Sequence, residues 1–194
     1  MTKMLLKITG PYDGRNSYLN VIGVANSLAE KLGLSPEDKL SLATIVKELA
    51  YNHHLYNPSE FRNDPVVEVS YNSANPKSLK IFSSGVIDEA QWQNLVAKLQ
   101  YIEGKDPKQV LQTARKIISG DLPADTAGPT NASKGKGTGM LFIAGRAGGL
   151  VRIDKGEALG DVLHRFRLHV TFNLEAALRP DLVSSLRPVT CKPD

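Results

Sequence analysis

Glu48 and Asn52, in "ELAYN" (48–52), are a carboxylate and an amide four residues apart. On a helix that spacing puts both on one face, and Ser41 and Thr44 extend the same row with small polar groups. Such a pair could orient a hydroxyl or a water and help to hold Mg²⁺. A solvated helix face is the plainer alternative.

The second candidate is "GKGTGMLFIAGRAGG" (135–149), where Gly135, Gly137 and Gly139 alternate with Lys136 and Thr138. No Gly-x-x-x-x-Gly-Lys-Ser/Thr can be drawn through it, so it is not a Walker-type loop. Met140 stands where a dinucleotide fingerprint needs its third glycine, and no strand precedes it. What survives is a loop of exposed backbone N–H groups leading into a helix N-terminus, where a phosphate finds free donors and a favourable dipole. Lys136 would add a positive charge; a simple turn between packed elements is the competing reading.

The elements that must position these groups follow from periodicity. "KMLLKIT" (3–9) reads as a strand closed by Gly10-Pro11, and Val21, Val24, Ala25, Leu28 and Leu32 recur at helical spacing before Gly33. Ser35-Pro36-Glu37-Asp38 is a helix start, and the stripe Leu42, Ile45, Val46, Leu49, Ala50, His53 carries that helix to about Tyr56. Strands follow at 66–71 and 78–82, the second expected to end in a turn at Ser83-Ser84-Gly85. Asp88 with Gln91 caps a helix bearing Trp92, Leu95, Val96 and Leu99, and Asp106-Pro107 starts another with Val110, Ala114 and Ile117. Residues 119–136 are polar and longer than most connections, which fits a lid over a site or a bare linker. A short helix over 140–147, a strand over 150–154 and a strongly alternating strand over 162–172 complete the pattern.

These elements fit one domain over 1–173, an α/β two-layer sandwich. Its mixed, largely antiparallel sheet has about five strands with helices packed on one face, and a C-terminal tail follows at 174–194, read as a short helix and then a mobile Pro-bearing end, "RPVTCKPD". The 194 residues are 41% hydrophobic and 23% charged, ordinary for a globular protein. Lys and Arg exceed Asp and Glu by 24 − 20 = 4, and they are scattered, which argues against a nucleic-acid partner. No apolar run reaches a membrane span or a signal peptide, and the lone Cys191 cannot form an internal disulfide, so a cytoplasmic protein is expected.

Other polar residues carry less. His53 and His54 point roughly 100° apart on a helix, an awkward pair for one metal. His164 reads as a hydrogen-bonded core histidine, and Arg165, Arg167 and His169 as a solvated sheet face or a surface for an acidic partner. Cys191 has no histidine near it in sequence to activate it.

Taken in order, Glu-x-x-x-Asn on a helix, two strands, a glycine turn, helices, a long loop and Gly-x-Gly-x-Gly-Met (135–140) resemble the GHKL superfamily of ATP-binding domains over about residues 36–172. Within it the chain looks most like the single-domain SiaB-type kinases and the small anti-sigma-factor serine kinases, through "SSGVID" (83–88), the insert with Asp106-Pro107 and "GTGMLFIAGRAGG". The resemblance implies a Bergerat-type fold, the cofactors ATP and Mg²⁺, and transfer of phosphate to a serine or threonine of a small, STAS-like partner protein. It implies that Asn52 holds Mg²⁺, that Glu48 polarises the attacking hydroxyl, and that Gly135, Lys136, Gly137, Thr138 and Gly139 surround the phosphates. Ser83 and Gly85 would form the adenine-side turn. Dimers are common among such regulators.

One departure stands out. The superfamily usually places an aspartate on the adenine amino group in Asp-x-Gly, whereas this chain has Ser83-Ser84-Gly85. A hydroxyl can accept that hydrogen bond without the charge-assisted strength of a carboxylate. Two further readings follow: a GHKL-like module that has lost nucleotide binding and acts by protein contact, its pocket filled by side chains such as Tyr51 or Ile87, and an ATPase that hydrolyses without a protein acceptor.

Overall fold

Ser35 starts the central helix as its sequence dictates. Its hydroxyl accepts the Asp38 N–H at 3.1 Å, Pro36 occupies the first turn, and α2 runs over Pro36–Tyr56 with Leu42, Ile45, Val46, Leu49, Ala50 and His53 buried. This is a computed structural model, and it describes residues 2–12, 14–130 and 137–192.

The sheet has six strands: β1 (Thr2–Thr9), β2 (Val66–Asn72), β3 (Ser78–Asp88), β4 (Val151–Leu159), β5 (Leu163–Asn173) and β6 (Val189–Cys191). They lie in the order β4-β5-β3-β2-β1-β6, antiparallel except for β1 beside β6. The period-2 patterns set the buried face: Leu79, Ile81 and Ser83 of β3 oppose Phe172, Val170 and Leu168 of β5, and Val67 and Val69 of β2 oppose Ile8 and Leu6 of β1. An irregularity between Met4 and Leu6 lets Leu5 and its neighbour Leu6 both be buried.

The helices cover that face. The apolar sides of α1 (Gly14–Lys31) and α2 join the sheet in one core, and Gly33, with φ +65°, ends the first helical stretch. Helix α3 (Glu89–Ile102) begins at a complete capping box between Asp88 and Gln91. Helix α4 (Pro107–Ser119) buries Val110, Ala114 and Ile117 in a second, smaller cluster with Leu141 and Ala144 of α5 (Gly139–Ala147). On the opposite sheet face Lys7 pairs with Glu68 at 2.9 Å and Arg165 with Asp64 of the loop before β2 at 3.1 Å, and His169 Nε2 lies 3.1 Å from Asp154 Oδ2. Cross-strand and loop carboxylates thus already engage much of the basic face.

Two expectations need correction. Residues 83–85 form no turn, because β3 continues to Asp88 with an unbroken register against β5. The short helix expected after Asn173 is α6 (Pro180–Ser185), which packs Val183 into the core, but the Pro-bearing end is no loose tail, for β6 adds a sixth strand with Cys191 opposite Ile8. The loop after α4 is anchored over its first half, where Ala127 is buried in the smaller cluster; residues 131–136 lie outside the described set.

Candidate functional site

The two motifs, far apart in sequence, meet in space. A Cβ built on Gly139 would lie 3.0 Å from Glu48 Oε2, and 3.2 and 3.4 Å from Asn52 Oδ1 and Nδ2. Any side chain there would displace the pair, so the glycine is what allows α5 to start against the polar row of α2. Glu48 is largely shielded, and its Oε1 pairs with Lys47 Nζ at 2.7 Å. Thr138, at the N-cap of α5, makes no side-chain cap bond, so the first-turn N–H groups of this nine-residue helix are left to other partners.

Lys98 of α3 closes the other side. A Cβ on Gly137 would lie 2.8 Å from Thr130 Cγ2 and 3.2 Å from Lys98 Nζ, and the φ of +65° at Gly137 itself favours glycine. The ammonium donates to the Pro129 carbonyl at 3.0 Å, yet Lys98 is only 8% exposed and has no ion pair among the described residues. Burial lowers its pKa. A buried cation with one carbonyl partner has donors to spare for an anion.

Between these groups lies a cavity of about 230 Å³, lined among others by Asn52, Ser83, Asn94, Lys98, Gly137 and Gly139. Tyr51 is not in it but exposed at the surface, and Ile87 is part of its wall, so neither fills it. Ser83 Oγ lies 2.7 Å from His53 Nε2, both residues buried. The imidazole stacks between Tyr12 and Phe166, with ring centroids 5.8 Å from each, and burial pushes its pKa down to about 3, so it is neutral. Gly85 makes room for that ring, since a Cβ there would meet Cε1 and Nδ1 at 2.8 Å. Its part is therefore close approach within a strand and not the shaping of a turn. Asn57 joins helix to strand by accepting the Val86 N–H at 2.8 Å on Oδ1 while donating to the Phe61 carbonyl.

Asn52, Ser83, Gly137 and Gly139 thus line one cavity; Glu48 adjoins it at Gly139, Thr138 lies between two of its glycines and Gly85 faces His53, whereas Gly135 and Lys136 lie outside the described residues. Sequence reasoning missed Lys98 and the partnership of His53 with Ser83. A usable signal existed for the first: Gln91, Asn94 and Lys98, at helical spacing, form a polar row beside the apolar set of α3, and all three line the cavity. Among the described residues no group of three or more His, Cys, Asp or Glu could hold a metal, and no helix is long and apolar enough to cross a membrane.

By sequence the chain matches no protein-family model and no curated protein. Its fold, however, is similar to that seen in the crystal structure of the SiaB–SiaC complex from Pseudomonas aeruginosa, with a TM-score of 0.65 and 16% identity over 87% of this chain and 90% of that one. The likeness is one of fold, and it fits a six-stranded, mostly antiparallel sheet covered by helices on one face.

Proposed function

We propose that the chain is an ATP- and Mg²⁺-dependent protein kinase of the GHKL type that phosphorylates a serine or threonine of a small partner protein in a partner-switching regulatory pathway. The observation that carries this reading is the meeting of Glu48 and Asn52 with the start of α5 beside one cavity. That SiaB is solved in complex with SiaC supports a protein as the partner.

The residues present fit a polyphosphate. The uncapped N-terminus of α5 offers N–H donors and the positive end of a helix dipole, and Lys98 supplies a buried ammonium with no counter-ion among the described residues. Gly137, Thr138 and Gly139 would cradle the phosphates, with Gly135 and Lys136 extending the loop. Asn52 would hold Mg²⁺ through its amide oxygen; when bound, the ion supplies neutralisation of phosphate charge. Glu48 would accept the hydrogen bond of the incoming hydroxyl and aim its oxygen at the phosphorus. Work of this kind is positioning and charge stabilisation, and it needs little covalent chemistry from the protein.

One observation favours a second reading, a protein-binding module without nucleotide: the hydroxyl of Ser83 is already engaged by His53. Calorimetric titration with ATP, with and without Mg²⁺, separates the two. Binding that requires Mg²⁺ and vanishes in Asn52→Ala is the expected result, and no binding at any Mg²⁺ concentration leaves the protein-contact module. Transfer of label from γ-labelled ATP to a serine- or threonine-bearing protein, lost in Glu48→Gln, distinguishes a kinase from a simple ATPase.

A further inference from the structure

Resting on the nucleotide reading above, we infer that the His53–Ser83 couple reads the 6-position of a purine as an interchangeable donor or acceptor, so that the site takes both 6-amino and 6-oxo purine triphosphates. Ser83 Oγ and His53 Nε2 are 2.7 Å apart, and which atom donates depends on the imidazole tautomer. A hydroxyl has one proton and two lone pairs. When it donates to Nε2, its lone pairs are left to accept from an exocyclic amine in the cavity that Ser83 lines. When Nε2–H donates to it, the hydroxyl proton is free to meet a carbonyl.

Both arrangements are neutral, and burial of the imidazole keeps them so. The groups packed against the couple are mainly apolar. Ser83 sits opposite Leu168 in the β3–β5 register, Gly85 opposite Phe166, and Tyr12 stacks on the other face of the imidazole. Among the described residues Asp88 is the carboxylate that lines the cavity, and its Oδ1 accepts the Gln91 N–H at 2.7 Å. A fixed carboxylate at position 83 would only accept, and it would reject a 6-oxo base by on the order of 100-fold or more through two acceptors facing each other.

Titration of the full chain with Mg²⁺-ATP and Mg²⁺-ITP, which differ at the 6-position and N1, tests the inference. Both should bind, with dissociation constants within about tenfold of each other, where a charged reader would separate them further. Ser83→Ala, its folding verified by thermal melting, should weaken both by a similar factor, about threefold to tenfold for a lost neutral hydrogen bond. A preference for ATP beyond tenfold overturns the inference and leaves the nucleotide reading standing. Unchanged affinities in Ser83→Ala also overturn it, because the hydroxyl then does not touch the base. Binding of neither nucleotide removes the nucleotide reading and the inference together. The comparison on the unaltered chain can overturn the inference even if the variant fails to fold.

Discussion

Gly85 of β3 and His53 of α2 compete for one volume: a Cβ on the glycine would lie 2.8 Å from Cε1 and Nδ1 of the imidazole. The ring cannot retreat, because Tyr12 and Phe166 stack on it and Ser83 holds Nε2. Gly85→Ala should therefore destabilise the fold by about 1–3 kcal/mol, the usual cost of overpacking a core, despite the better strand propensity of alanine. Urea unfolding checks this; an unchanged midpoint would mean that α2 can move off β3 freely.

The same pair marks where sequence reasoning stopped. Helices α2, α3 and α4 were legible with their caps, because Ser35, Asp88 and Asp106 precede strong apolar periodicities. Strand β5 was legible because Phe166, Leu168, Val170 and Phe172 alternate over a buried face. Reading a turn at Gly85 failed because glycine permits two things, a turn or a close approach, and only the tertiary neighbour His53 decides between them. Strand β6 was hidden for a different reason: three residues carry no period, and their pairing with β1 comes from the far end of the chain. Within the site, Glu48, Asn52 and Gly139 were visible as motifs, while Lys98 belongs to none.

His53 also sets a pH dependence. Its imidazole titrates near 6.5 when unfolded and about 3 when folded. Below pH 6.5 the unfolded chain binds a proton that the folded chain refuses, so the contribution is fully present above that pH and is lost as pH falls toward 3. The slope is about 1.4 kcal/mol per pH unit. Between pH 6.5 and 4.5 the native chain should lose about 2–3 kcal/mol more than His53→Phe/Ser83→Ala, a double variant that removes both polar partners. Denaturant unfolding at several pH values measures the difference, and parallel curves would assign the pH sensitivity to other groups.

Lys98 should separate stability from binding. A buried ammonium with one carbonyl partner among the described residues contributes little to the fold, and an apolar side chain of similar length removes its desolvation cost. Lys98→Met should leave the unfolding free energy unchanged or raise it by about 1 kcal/mol. Mg²⁺-ATP affinity should meanwhile fall by about tenfold or more, as expected for losing a charge-assisted contact. A variant that is destabilised yet binds normally would make Lys98 a structural lysine.

Gly139→Ala is the sharpest probe of the Glu48–Asn52–α5 junction. Alanine is the better helix former by about 0.8–1 kcal/mol, so propensity alone predicts a more stable protein. Its methyl would nevertheless sit 3.0 Å from Glu48 Oε2 and 3.2 Å from Asn52 Oδ1, tighter than ordinary contact. These side-chain ends can rotate away, so the fold should survive with little net change in stability. That rotation would take the carboxylate and the amide out of register with the helix N-terminus. Mg²⁺-dependent ATP binding should then drop by about tenfold or more while magnesium-free binding changes less, because Asn52, one of the two displaced residues, is the one assigned to the ion. Equal losses with and without Mg²⁺ would shift the effect from Asn52 to the phosphate cradle itself.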